Sequence, residues 1–242
     1  TILSSVLTQT MNPYTGAILC PEDVLDPISM LFIGISFSTE ANTKEILDTE
    51  LPMLSNLLNH KNYQYQVFSI KTFAELISRN STMMLIPAEM KTQLIQNMLK
   101  RIDEAIPNVA SAAAKFIYQI CINEESLPLL EECVVPAVTS LMARLQSITN
   151  LTKENIIMRE NIILAIATIG SYILKEQFPV AEAMPTILKA LPIVKQFKPC
   201  YNEVYKFLNS MSYLVSPELH LEYIRIYAWV FARSHPLIND PN

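Results

Sequence analysis

The sequence predicts an all-α fold made of stacked antiparallel helical hairpins, and three observations carry that reading. Only 3 of the 242 residues are glycine, whereas doubly wound folds, hairpin-rich sheets and phosphate-binding loops all need glycine at tight or left-handed backbone positions. Half the residues are hydrophobic and 17% are charged, enough apolar surface to offset chain entropy. Four segments share an apolar stripe of helical period. Their starts at residues 66, 110, 159 and 202 lie 44, 49 and 43 residues apart, in or just above the window of roughly 40–47 expected for HEAT and armadillo repeats.

Taken in chain order, residues 1–42 read as an irregular first hairpin, with a helix over 22–36 entered through Pro21. Residues 43–58 form an outer helix, a polar turn follows at 59–62, and 66–78 form the inner partner, with Val67, Ile70, Ala74 and Ile77 on one face. The next outer helix, 88–104, starts at Ile86-Pro87-Ala88-Glu89, where proline suits the first turn. Its inner partner follows Ile106-Pro107-Asn108 and covers 110–121, with Val109, Ala113, Phe116 and Ile120 aligned. Residues 127–145 pair with 159–174, whose stripe is Ile162, Ala165, Ile166, Ile169 and Ile173. Residues 180–191 lead through Phe197-Lys198-Pro199 to 202–214, with Val204, Phe207, Leu208 and Met211. A last helix over 217–232, capped by Ser216, opens the terminal segment 217–242. No hairpin of this kind buries its stripe alone, so neighbours must stack. The expectation is one array over 1–242, regular over 43–216: an α-α superhelix of HEAT type with about five to six hairpins. An ordinary bundle would not demand the repeated spacing, and tetratricopeptide repeats have a shorter period.

The formal charge of −5, with an isoelectric point near 5.3, argues against a phosphate-backbone binder and for a basic protein partner. The longest apolar runs, 28–37 and 162–174, fall short of the ~20 residues that cross a bilayer, so buried helices are expected and membrane insertion is not. Cys20, Cys121, Cys133 and Cys200 form no CxxC pair, which points away from zinc and disulfides and toward a reducing compartment. Asn80-Ser81-Thr82 and Asn150-Leu151-Thr152 read as chance sequons. Thr1 is not a natural start, so a fragment of a longer protein is expected.

His60, His220 and His235 lack ligand or nucleophile partners at helical spacing, and HExxH, GxSxG, Walker and dinucleotide motifs are missing. Asp103-Glu104 and Glu124-Glu125 sit at helix ends or turns and read as solvated charge. No catalytic residue, metal site or cofactor is expected. What remains is the face of the inner helices opposite each stripe: Thr72, Glu75 and Arg79; Lys115 and Tyr118; Glu160 and Ser171; Asn202, Lys206, Asn209 and Tyr213. These are expected to form one polar and aromatic ladder on a concave partner-binding surface.

Some segments carry a family likeness. Residues 107–114, Pro-Asn-Val-Ala-Ser-Ala-Ala-Ala, resemble the turn and inner-helix start of an importin beta type HEAT repeat. Residues 152–156, Thr-Lys-Glu-Asn-Ile, with 159–169, Arg-Glu-Asn-Ile-Ile-Leu-Ala-Ile-Ala-Thr-Ile, are similar to a C-terminal repeat of the importin five branch, also called karyopherin beta three. Residues 184–192 and 203–208 follow in the order of that branch's next hairpin, and 51–54 with 71–77 fit an earlier repeat more loosely. The likeness spans roughly 48–214. It implies a fragment of a nuclear transport receptor, moving between cytoplasm and nucleus through the pore. It also implies protein cargo, phenylalanine-glycine nucleoporins and the GTPase Ran as partners, with the main Ran site outside this chain. It transfers no individual binding residue. Two other readings stay open: a HEAT scaffold subunit of a phosphatase, coat or chromosome-assembly complex, and an enzyme of unfamiliar helical type.

Overall fold

The computed structural model describes residues 25, 27–30, 34, 40–78, 85–123, 126–194 and 198–234, and among these every regular element is helical. The elements are α1 (Glu40–Leu58), α2 (Tyr63–Ile77), α3 (Ala88–Ile102), α4 (Pro107–Ile122), the short α5 (Pro128–Glu131), α6 (Val134–Ser147), α7 (Lys153–Thr168), α8 (Val180–Ala190), α9 (Lys198–Met211) and α10 (His220–Ser234). Most of the expected irregular hairpin at 1–42, residues 235–242, the sequon at 80–82, Glu124-Glu125, Cys20, His235 and Arg79 lie outside the described residues.

The helices form two layers. In the inner layer α2 packs on α4, α4 on α7 and α7 on α9; in the outer layer α3 packs on α6, α6 on α8 and α8 on α10. Each outer helix α1, α3 and α6 also lies against the inner helix that follows it. Ser69 Oγ donates to Leu54 O at 2.6 Å across the 59–62 turn, as an antiparallel hairpin requires. Between neighbours of one layer the hydrogen bonds recur at sequence separations of 40 to 50, as in Arg144 to Glu104 O, Gln119 to Glu75 and Asn161 to Ser111. Successive units are therefore stacked in register, and their apolar faces merge into one core running through Leu54, Phe73, Phe116, Leu141, Ile162, Met184 and Phe207. Each such buried side chain contributes about 1.5–3 kcal/mol.

The expected helices are present, with differences that have local causes. The inner helices start earlier than their apolar stripes, at Tyr63, Pro107, Lys153 and Lys198, which gives spacings of 44, 46 and 45 residues (63 to 107 to 153 to 198). Caps extend them: Asn62 Oδ1 accepts from Gln64 N at 3.0 Å and Thr152 Oγ1 from Asn155 N at 3.3 Å. The outer helix expected over 127–145 is broken into α5 and α6, because Pro136 has no N–H for the carbonyl of Glu132 and its ring would crowd that carbonyl. The helix expected over 159–174 ends as an α-helix at Thr168 and continues as a π turn, Ile169–Leu174. The run 153–177 is long and apolar enough to cross a membrane, yet two-thirds of its most apolar window is buried inside the stack. Its middle stretch, 160–170, is buried on every face, which is why the apolar residues there show no helical stripe. Ser216 does not cap the last helix with its side chain; its hydroxyl bonds Glu218, and a 3-10 turn, Pro217–Leu219, precedes α10.

Candidate partner-binding groove

The caps that begin α2, α4 and α7 also set which side chains stand next to one another. Counting from Tyr63, Pro107 and Lys153, the ninth residues are Lys71, Lys115 and Asn161, and the fifth are Val67, Ser111 and Ile157. Glu75 and Gln119 share the thirteenth position. All of these line a groove of about 610 Å³ that crosses the three inner helices. Its volume falls within the ~300–1,000 Å³ usual for binding clefts. Ala74 and Ala112 contribute only methyl groups to its lining, while Leu25 and Met30 border it on the α2 side.

The polar lining is tied together. Asn161 Nδ2 donates to Ser111 Oγ at 2.7 Å, and Gln119 Nε2 donates to Glu75 Oε1 at 3.3 Å. Lys71 and Lys115 are exposed. Among the described residues that line it, Lys71 and Lys115 carry ammonium groups and Glu75 a carboxylate. The side chains offer hydrogen bonds and charge to a partner. His60, by contrast, is used locally: its Nδ1 accepts from Asn62 N at 3.1 Å and its ring meets Tyr65 edge-on at 4.6 Å. Among the described residues no group of three His, Cys, Asp or Glu side chains could hold a metal ion.

The single ladder expected from the sequence is divided. Glu75 and Lys115 line the groove. Thr72 and Glu160 are corrections, since both are fully buried. The Thr72 hydroxyl bonds Phe68 O and Ser29 Oγ, each at 2.9 Å, and Glu160 Oε1 accepts from Val194 N at 2.6 Å, so both serve packing rather than a partner. Tyr118 is half-buried against the core and Ser171 is half-buried in the π turn. Asn202 and Lys206 are exposed on α9, where Lys206 Nζ and Tyr172 Oη both reach Glu203 at 3.0 Å. Burial, and then the bond to Glu203, raise the Tyr172 pKa. Asn209 is exposed on α9, and Tyr213 lies beyond that helix, 71% exposed.

Lys71, Ser111, Gln119 and Asn161 were missed by the sequence reading. Position within the helix counted from the cap finds them, and the hydrophobic stripe does not. A scan of family models finds none that matches the chain, and a search of curated proteins finds no match either.

Proposed function

We propose that the chain is a segment of a HEAT-type α-solenoid that works by contacting protein partners and performs no catalysis, in the manner of an importin beta type nuclear transport receptor. The observation that carries this reading is the groove crossing α2, α4 and α7, lined by equivalent positions of successive units. Side-by-side hairpins make such a surface without an enclosed pocket, which suits contact with another macromolecule. The family likeness adds the transport role: residues 107–114 open α4 and residues 152–169 cover α7, the two helices that form the centre of the groove. On this reading the partners are protein cargo, phenylalanine-glycine nucleoporins and Ran, and the protein works in cytoplasm, nucleus and pore.

The test is a pull-down of the intact protein with Ran loaded with GTP. Retention, with loss of bound cargo when Ran is added, is the expected result. If Ran is neither retained nor able to release cargo, the transport role fails, and a scaffold role in another complex takes its place.

A further inference from the structure

We infer that Ser216 is a phosphorylation site for a proline-directed protein kinase, and that a phosphate there loosens the attachment of α10 to the stack. This goes beyond the partner-binding reading and does not depend on it. Of the 15 prolines in the chain, only Pro217 follows a serine or threonine. A kinase cleft that offers no acceptor to the residue after its target selects proline there, because proline has no N–H to strand. Proline also drives the residue before it into extended backbone, the form in which kinase clefts take their substrates. Ser216 has that form, at φ −64° and ψ 149°, and both Ser216 and Pro217 are exposed.

The flanking residues select this class of kinase over others. From Phe207 to Leu219 there is no lysine or arginine, so an enzyme that docks a basic residue before its target has nothing to hold. Tyr213, 71% exposed, and Leu214 stand outside the core ahead of the serine, and within 213–219 only Val215 and Leu219 pack inward. A local opening that gives up those two contacts frees the segment for a cleft. In the transfer the Ser216 Oγ attacks the γ-phosphorus of ATP held by the kinase. The Oγ–P bond forms as the bond from that phosphorus to the β,γ-bridging oxygen breaks. ADP leaves with the electron pair, and the hydroxyl proton passes to the kinase's aspartate.

The phosphate carries about −1.5 to −2 charges at pH 7 and replaces the hydroxyl proton that Glu218 accepts in the unmodified chain. Phosphate and carboxylate then repel one another across a single turn. That turn is closed by Leu219 N donating to Ser216 O at 3.0 Å, and it leads directly into α10. The helix is held to α9 by Tyr223 Oη, which donates to Leu208 O at 3.3 Å, with Tyr223 and Ile226 buried. Repulsion at the turn acts on that attachment.

The experiment incubates the native whole chain with a purified proline-directed kinase and ATP, and maps the phosphate by mass spectrometry. Label is expected on Ser216 and not on Ser212, which is also exposed but has no proline after it. Pro217→Ala is expected to lower the rate about tenfold or more, and Ser216→Ala to abolish it. A kinase that requires a basic residue before its target is expected to leave Ser216 unlabelled. Circular dichroism checks that both variants fold. Hydrogen exchange over residues 220–230 of the phosphorylated chain is expected to speed up several-fold, with exchange in α2 unchanged. No label on Ser216, equal label on Ser212, or indifference to Pro217→Ala overturns the site. Label on Ser216 without faster exchange in α10 overturns the loosening.

Discussion

Glu75 and Gln119 are joined by a 3.3 Å hydrogen bond and occupy the same position, the thirteenth, of successive inner helices. Asn123 Nδ2, just past the end of α4, adds a second link between the two helices, donating to Ile77 O at 3.2 Å. Contacts of this kind fix the sliding register of one hairpin on the next. Apolar packing alone specifies register less sharply, because hydrophobic contact is not directional. The groove exists because the register is held.

The outer layer has its own clamp. Arg101, buried at 8% exposure, donates to Leu58 O and to Asn59 Oδ1, and its Nη1 donates to Gln66 Oε1 at 3.0 Å. Burial lowers its pKa while Glu104, 3.9 Å away, raises it. Arg101→Ala strands the Leu58 carbonyl and is expected to cost about 2–4 kcal/mol. Arg144 makes the matching bond to Glu104 O at 2.8 Å from a more exposed position, so Arg144→Ala is expected to cost under ~1 kcal/mol. Urea denaturation of the two variants checks the contrast.

Gly170 sits where α7 gives way to the π turn, and a Cβ there would lie 2.4 Å from Phe207 Cε2 and 3.1 Å from Phe178 Cδ2. Those two rings meet edge-on at 4.9 Å in the core, so neither has free space to retreat into. Gly170→Ala is expected to destabilise by about 1–3 kcal/mol. Adding Phe207→Leu to it is expected to cost less than the sum of the two single changes, which a double-mutant thermal denaturation series measures.

The layers were legible in the sequence because each outer helix has one wet face, so its pattern keeps the helical period. The groove was only half legible. Of the inner helices, α4 and α7 are covered by the outer layer and by an inner neighbour on each side, and the run from Glu160 in α7 to Gly170 in the π turn is buried without interruption. Periodicity has nothing to measure there, which is why Glu160 was read as a surface residue. In α2 the stripe includes Val67, which lines the groove, so the inferred centre of the buried face was rotated by one residue and Thr72 was chosen over Lys71. One residue is 100° on a helix, enough to exchange core for solvent.

Burial raises the Cys121 thiol from an ordinary 9.0 to about 12, partly opposed by a hydrogen bond with Thr168. Below pH 9 the thiol is neutral in both states and contributes no pH dependence. Above it the unfolded thiol ionises while the folded one does not, so stability falls as pH rises from about 9 toward 12. The buried Tyr65 and Tyr223 and the half-buried Tyr227 are shifted in the same direction and steepen the loss at its upper end. Urea midpoints between pH 8 and 11 are expected to fall, and Cys121→Ala is expected to flatten the decline in the lower part of that window.

Glu160 ties α7 to the segment leading to α9 through its 2.6 Å bond from Val194 N. Glu160→Ala removes the acceptor of a part-buried N–H, at a cost of about 1 kcal/mol or more. Hydrogen exchange at Val194 is expected to accelerate more than exchange in α2.

The stacked order of the inner layer, on which the groove and the proposed function depend, is tested most directly by short-armed lysine cross-linking of the native chain read by mass spectrometry. Lys71 and Lys115, ninth residues of adjacent helices, are expected to link in high yield. Lys206 is the ninth residue of α9, three helices away and so about 30 Å distant, and is expected not to link to Lys71. A Lys71–Lys206 link as abundant as Lys71–Lys115 would mean a single-centred globule and would contradict the stack.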